Sequence, residues 1–107
     1  MNHRLARRCA GALSGAILAV AALQAGAADI GRGAELYQRH CAGCHGQDGI
    51  SVWPGAPNIA RREGMLQTDQ ALLQKLRVGR GAKPGYQGLM SDRDILNVIA
   101  YSRSLMR

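Results

Sequence analysis

The sequence predicts an all-α domain whose centre is filled by something other than its own side chains. Three observations lead there. Apolar residues recur at helical spacing in three stretches. No strand-length alternation of β-branched residues appears between them. The chain also contains no phenylalanine, so the usual large core filler is absent.

The 107 residues make one domain at most, and their start is expected to lie outside it. Arg4, Arg7 and Arg8 precede an Ala- and Gly-rich apolar run that is broken at Gln24 and leaves through Ala-Gly-Ala-Ala before Asp29. A basic start, a short apolar middle and a small-residue exit are the marks of an export signal over residues 1–28, cut after Ala27 or Ala28. The alternative is a retained anchor, which needs about 20 apolar residues. Cys9 falls inside this segment, and Arg7 and Arg8 before it do not suit a lipid-attachment cysteine.

The domain is then expected over residues 29–107, with Cys41 and Cys44 as its two cysteines. A domain of roughly 80 residues buries too little apolar surface for comfort and often needs a disulfide, a metal or a large cofactor. Without Arg4, Arg7 and Arg8, the 14 basic residues fall to 11 against seven acidic ones, a charge near +4. That suffices to steer encounters with an acidic surface. The scattered arginines do not form the basic stripe of a nucleic-acid binder.

The first helix is expected from about Asp29 to Cys41, where Ile30, Gly33, Ala34 and Tyr37 share a face and Asp29 caps the start. A loop from about Gly46 to Gly64 follows, long enough to wrap something. The second helix begins at Thr68 or Asp69, presents Leu72, Leu73 and Leu76, and stops at Gly79. After the turn "GAKPGYQGLM" (81–90), Ser91 caps the third helix. Asp94 makes a short capping box with it, and Ile95, Val98 and Ile99 continue the apolar stripe.

Residues 41–45 read Cys-Ala-Gly-Cys-His, and C-x-x-C-H is the attachment pattern of c-type haem. Two thiols at this spacing reach the two vinyl groups of one haem, while the adjacent imidazole reaches the iron. The ring also supplies the bulk that a Phe-free core lacks. A thioredoxin-like dithiol would need a strand-to-helix setting that is not visible. Zinc needs four ligands, and His40, the other histidine of the domain, does not complete such a set. A plain disulfide leaves His45 without a role. His40 reads as a solvated helix-end residue.

The segment from Asp29 to Arg107 resembles a small bacterial class I monohaem cytochrome c, through "GAELYQRHCAGCHG", "PGAPNIA", "LLQKLRVGRGAKPGYQGL" and "SDRDILNVIAYSRSL". The resemblance implies a cytochrome c fold of three to four helices around one covalent haem, with Cys41 and Cys44 holding haem c and His45 as axial iron ligand. It places Gly33 and Tyr37 against Ile95, Val98 and Tyr101. It also implies that the Pro57 carbonyl accepts a hydrogen bond from His45 Nδ1, orienting the ring and raising its basicity. Asn58 and Ile59 would follow along the haem edge.

This family places a methionine opposite the histidine, in a "Met-Pro-x-Tyr/Phe" segment about eight residues before the Ser-Asp of the last helix. Pro84, Tyr86, Gly88 and Leu89 fit that segment, but position 83 is lysine. Four outcomes stand open: Lys83 as sixth ligand, Met90, Met65, or a sixth position open to water or a small ligand. Arg61 and Arg62 are candidates to neutralise a haem propionate, and Trp53 to cover a haem edge or anchor its loop.

The resemblance implies a monomeric periplasmic electron carrier, not an enzyme, serving redox proteins that dock through an acidic surface beside Lys75, Arg77, Arg80 and Lys83. The other reading is a haem protein with an open or Lys-ligated sixth position that binds a small ligand. The stretch "VWPGAPNIARREGMLQTD" is similar to small cytochromes accompanying the haem-d nitrite reductase, which adds electron supply or haem maturation to that second reading.

Overall fold

The computed structural model describes residues 26–81 and 83–107. Arg4, Arg7, Arg8, Cys9 and most of the expected export signal lie outside the described residues. Four helices are present there: α1 (Ile30–His40), α2 (Ala42–His45), α3 (Asp69–Val78) and α4 (Asp92–Ser104), with a 3-10 turn at Ile59–Arg61. The described residues hold no strand, only isolated bridges at Arg80–Lys83 and Gln87–Met90. None of their helices is long and apolar enough to cross a membrane.

α1, α3 and α4 each start where a side chain satisfies a backbone N–H that has no intrahelical partner. Asp29 Oδ1 accepts from Arg32 N at 2.9 Å, Thr68 Oγ1 from Ala71 N at 3.1 Å and Ser91 Oγ from Asp94 N at 3.1 Å. The capping box expected at Ser91 is realised on one side only. The Asp94 carboxylate turns away to Arg32 of α1, at 3.4 Å. The first helix ends at Cys41, where the sequence places its end. Cys41 keeps its bond to Tyr37 O at 2.8 Å, but its φ of −117° swings the chain, and Ala42–His45 forms a separate turn.

α1 packs on α4 with almost no space between the backbones. A Cβ added at Gly33 would sit 2.6 Å from the Asn97 carbonyl carbon and closer still to its oxygen. One helical turn on, Tyr37 is fully buried and meets the Tyr101 ring edge-on at 5.2 Å. The Tyr37 hydroxyl donates to Gly46 O at 2.7 Å, and burial, the largest cause, pushes its pKa up to about 12. It is therefore a neutral donor that ties α1 to the residue after His45. Asn97, 3 % exposed, uses its side-chain oxygen to accept from Asp29 N at 2.9 Å.

The loops are tied to this pair. Ala60 N donates to Gly49 O, and Arg107 N to Ala60 O, at 3.0 and 2.9 Å. The Arg103 guanidinium reaches across to the loop before α3. It donates to Asp69 Oδ1, Met65 O and Gln67 O at 2.9, 2.9 and 2.7 Å. The core gathers Leu36, Tyr37, Ile59, Met65, Leu72, Leu73, Tyr86, Met90, Ile95, Val98 and Ile99.

Gly33→Ala is expected to cost about 2 kcal/mol, because the new methyl meets backbone rather than a movable side chain. For a domain of this size that is a fall of roughly 8–16 °C in Tm. Thermal unfolding followed by circular dichroism checks it, and an unchanged midpoint would show that the helices separate at no cost.

Candidate functional site

The turn α2 carries Cys44 and His45 and follows Cys41 directly, so three reactive side chains come from five consecutive residues. Both cysteines are free thiols. Cys41 packs against the core and is half-buried, whereas Cys44 is exposed. Burial pushes the Cys41 thiol up to about 11, with the Lys83 ammonium opposing that rise, so the sulfur is protonated at neutral pH. Among the described residues no group of three or more His, Cys, Asp and Glu converges on a common point. The described residues therefore offer no ligand set for a protein-only metal site of the zinc kind.

The geometry of His45 is set from the long loop. Its Nδ1 lies 2.8 Å from Pro57 O. A carbonyl oxygen only accepts, so Nδ1 carries the proton and Nε2 keeps its lone pair for a metal. Pro57 reaches that place because the loop folds back on the attachment turn. The Cys44 carbonyl accepts from Val52 N and Trp53 N at 2.9 and 3.2 Å. Ser51 Oγ donates to Trp53 O at 3.0 Å.

These residues fit a covalently held haem. Two free thiols and an imidazole with an available Nε2 stand on one turn. Apolar side chains that a soluble domain ordinarily covers stay open around Cys44: Val52 is 69 % and Trp53 57 % exposed. Beside Pro57, the buried Asn58 Oδ1 has no hydrogen-bond partner, the mark of a missing neighbour. Arg61 and Arg62 are exposed. Arg62 holds a left-handed backbone, φ 68°, that ends the 3-10 turn.

The loop after α3 is fixed through its backbone. Arg80 and Lys83 exchange two hydrogen bonds of 3.0 Å, forming a tight hairpin. Tyr86 N donates to Leu76 O at 2.9 Å and Gln87 N to Arg77 O at 3.2 Å, satisfying carbonyls that the end of α3 leaves free. Gly79 and Gly85 make this approach possible, since a Cβ on Gly79 would fall 2.5 Å from Gly85 N. The Lys83 side chain is half-buried within electrostatic reach of Cys41 and Lys75. Burial lowers its pKa most, Cys41 opposes that and Lys75 adds to it.

Met65 and Met90, the other candidates for the iron, lie in the core at 7 % and 8 % exposure. Arg103 also holds the Met65 carbonyl. Arg77, expected among the free cations of the docking face, is paired with Asp92 at 2.9 Å. Sequence reasoning missed the part played by His40. It is exposed as expected, but its carbonyl accepts from Tyr86 Oη at 3.1 Å and its ring meets the Tyr86 ring at 5.7 Å. No local pattern signals a contact across 46 residues.

Comparison with known proteins gives a consistent picture. Residues 28–101 match the family model described as cytochrome C oxidase, cbb3-type, subunit III. Cytochrome c6 of Picosynechococcus sp. is 33 % identical over 84 residues, covering 70 % of this chain and 72 % of that protein. Cytochrome c6 of Thermosynechococcus vestitus is 30 % identical over 105 residues, covering 94 % and 90 %. Among solved structures, cytochrome c6 from the diatom Phaeodactylum tricornutum superposes with a TM-score of 0.61 at 26 % identity, covering 71 % of this chain and 92 % of that one. The KustC0563 c-type cytochrome shares the fold, with a TM-score of 0.63 at 21 % identity over 70 % and 98 % of the two chains.

The double variant Cys41→Ser/Cys44→Ser is expected to release all its haem on acid–acetone extraction, while each single variant retains it through the remaining thioether. Mass spectrometry of the extracted chains reads the difference. A double variant that keeps its haem would sink the attachment assignment.

Proposed function

Since this chain belongs to the class I cytochrome c family, small electron carriers with covalently bound haem c, we propose that it shuttles electrons in the periplasm with Lys83 at the iron's sixth position. Bound at Cys41 and Cys44, haem c supplies a one-electron Fe(II)/Fe(III) couple. The chain's residues tune and expose that couple and break no substrate bond. His45 is held by Pro57 O in the orientation and tautomer that an axial ligand needs. The family match over residues 28–101 supports a domain that starts near residue 29, and the export signal over 1–28 rests on its basic start, apolar middle and small-residue exit.

The observation that carries the sixth-ligand reading is the half-buried Lys83 beside Cys41, on a loop whose backbone is bonded at both ends. Burial favours the neutral amine, the form that binds a metal. Met90, the other candidate, packs in the core with Tyr86, and its backbone N donates to Tyr86 O at 3.0 Å. Met65 would have to break free of the segment that Arg103 clamps. An amine ligand lacks the thioether that raises the potential, so the carrier works at a lower potential than its methionine-ligated relatives.

Partner choice follows from charge. Several acidic groups are engaged within the chain: Asp92 with Arg77, Asp69 with Arg103, Asp94 and Glu35 with Arg32, and Asp48 with Arg107. Lys75 of α3 and Arg80 of the Lys83 hairpin are exposed and form no ion pair among the described residues. They suit a monomeric carrier docking briefly on an acidic redox protein. The ligand-binding reading, with its sixth position open or Lys-ligated, needs a small ligand to reach the iron past Lys83. A role beside the haem-d nitrite reductase rests on the 52–69 loop alone.

The wild-type ferric protein is expected to lack the Met–Fe(III) charge-transfer band. Lys83→Met should gain that band and raise the potential. If Lys83→Met changes neither and Met90→Leu removes a band already present, Met90 is the ligand.

Lys75→Glu/Arg80→Glu is expected to slow oxidation of the reduced protein by ferricyanide about tenfold at low salt. The difference should vanish at high ionic strength as screening takes over. Equal rates for variant and wild type at low salt would place the electron exit elsewhere.

A further inference from the structure

The backbone bonds of the Lys83 loop all run to α3 or within the loop itself: Arg80 with Lys83, Tyr86 with Leu76, Gln87 with Arg77. They fix the loop to α3 but do not fix it to the attachment turn, which belongs to α1 and α2. The side chain of Tyr86 makes that second connection. Tyr86 is 5 % exposed, and its hydroxyl donates to His40 O at 3.1 Å. His40 is the last residue of α1 and the immediate neighbour of Cys41. Its carbonyl is one of those a helix end leaves without an intrahelical acceptor role, so the phenol supplies a partner the backbone does not. The two rings meet edge to face, 5.7 Å apart at 66°. Tyr86 also organises its own loop, because its carbonyl accepts from Leu89 N and Met90 N at 2.9 and 3.0 Å.

We propose that Tyr86 is a positioning residue: its hydroxyl, bonded to His40 O, latches the Lys83 loop onto the haem-attachment turn and holds the sixth-ligand side closed to outside ligands. A phenylalanine at 86 fills the same space and keeps the ring contact. It removes only the hydrogen bond between two segments 46 residues apart. The latch therefore acts on how often the loop opens, and leaves the packing of the closed state in place. This rests on the reading that Lys83 faces the iron, and the test separates the two ideas.

The experiment measures the rate at which imidazole binds the ferric holoprotein in wild type, Tyr86→Phe, Lys83→Ala and the double variant. Tyr86→Phe should bind imidazole about tenfold faster, as expected for the net worth of one hydrogen bond. The Lys83 amide should exchange its hydrogen correspondingly faster. Lys83→Ala should bind fast on its own, and adding Tyr86→Phe should bring no further gain because the position is already open. A Tyr86→Phe protein that binds at the wild-type rate, while Lys83→Ala accelerates, overturns the latch and leaves Lys83 ligation standing. An equal acceleration in both backgrounds also overturns it, since that is general loosening. If Lys83→Ala changes neither spectrum nor binding rate, the ligand assignment fails and the latch fails with it.

Discussion

The structure depends on a contact between backbones, Gly33 of α1 against the Asn97 carbonyl of α4, with no side chain between them. Close approach brings Tyr37 onto Tyr101 and turns the end of α1 to a fixed place on α4. The attachment turn leaves from that end, so the position of Cys41, Cys44 and His45 is inherited from the helix pair. Tyr37 transmits it further, through the hydroxyl bond to Gly46 O just beyond His45. A small domain without phenylalanine has few large contacts to spend on such placement. It uses backbone proximity and a few buried hydroxyls in their stead.

Two loops close on this frame from opposite directions in the chain. The segment 46–64 returns to the attachment turn, donating to the Cys44 carbonyl and presenting the Pro57 carbonyl to His45. The segment 79–90 leans on the end of α3 by backbone bonds and on α1 by Tyr86. One loop carries the carbonyl that fixes His45, and the other carries the half-buried Lys83. Arg103, reaching from α4 to Met65, Gln67 and Asp69, keeps the stretch between them from drifting. Because its guanidinium makes several directed bonds at once, it orders irregular backbone more effectively than a single charge would.

The charge pattern has the same economy. Ion pairs such as Arg77–Asp92 and Arg103–Asp69 consume cations near the loops. Lys75 and Arg80, near the Lys83 hairpin, are exposed cations outside those pairs, as are Arg39, Arg61 and Arg62. A count of basic residues could not make that distinction, since pairing is decided by which helices lie side by side.

The sequence by itself determined the all-α class, the caps at Asp29, Thr68 and Ser91, the stop at Gly79, and the C-x-x-C-H pattern of Cys41, Cys44 and His45 that points to haem attachment. These depend on residues within a few positions of one another, where spacing and side-chain chemistry suffice. It also exposed Lys83 as the departure from its family's pattern, because that pattern is local too. Only the tertiary structure decided the rest: the turning of Asp94 to Arg32, the loss of Arg77 to Asp92, the burial of Met65 and Met90, and the bond from Tyr86 to His40. Each of these joins segments far apart in the chain, and such contacts are fixed by how the helices pack, which no short stretch of sequence encodes.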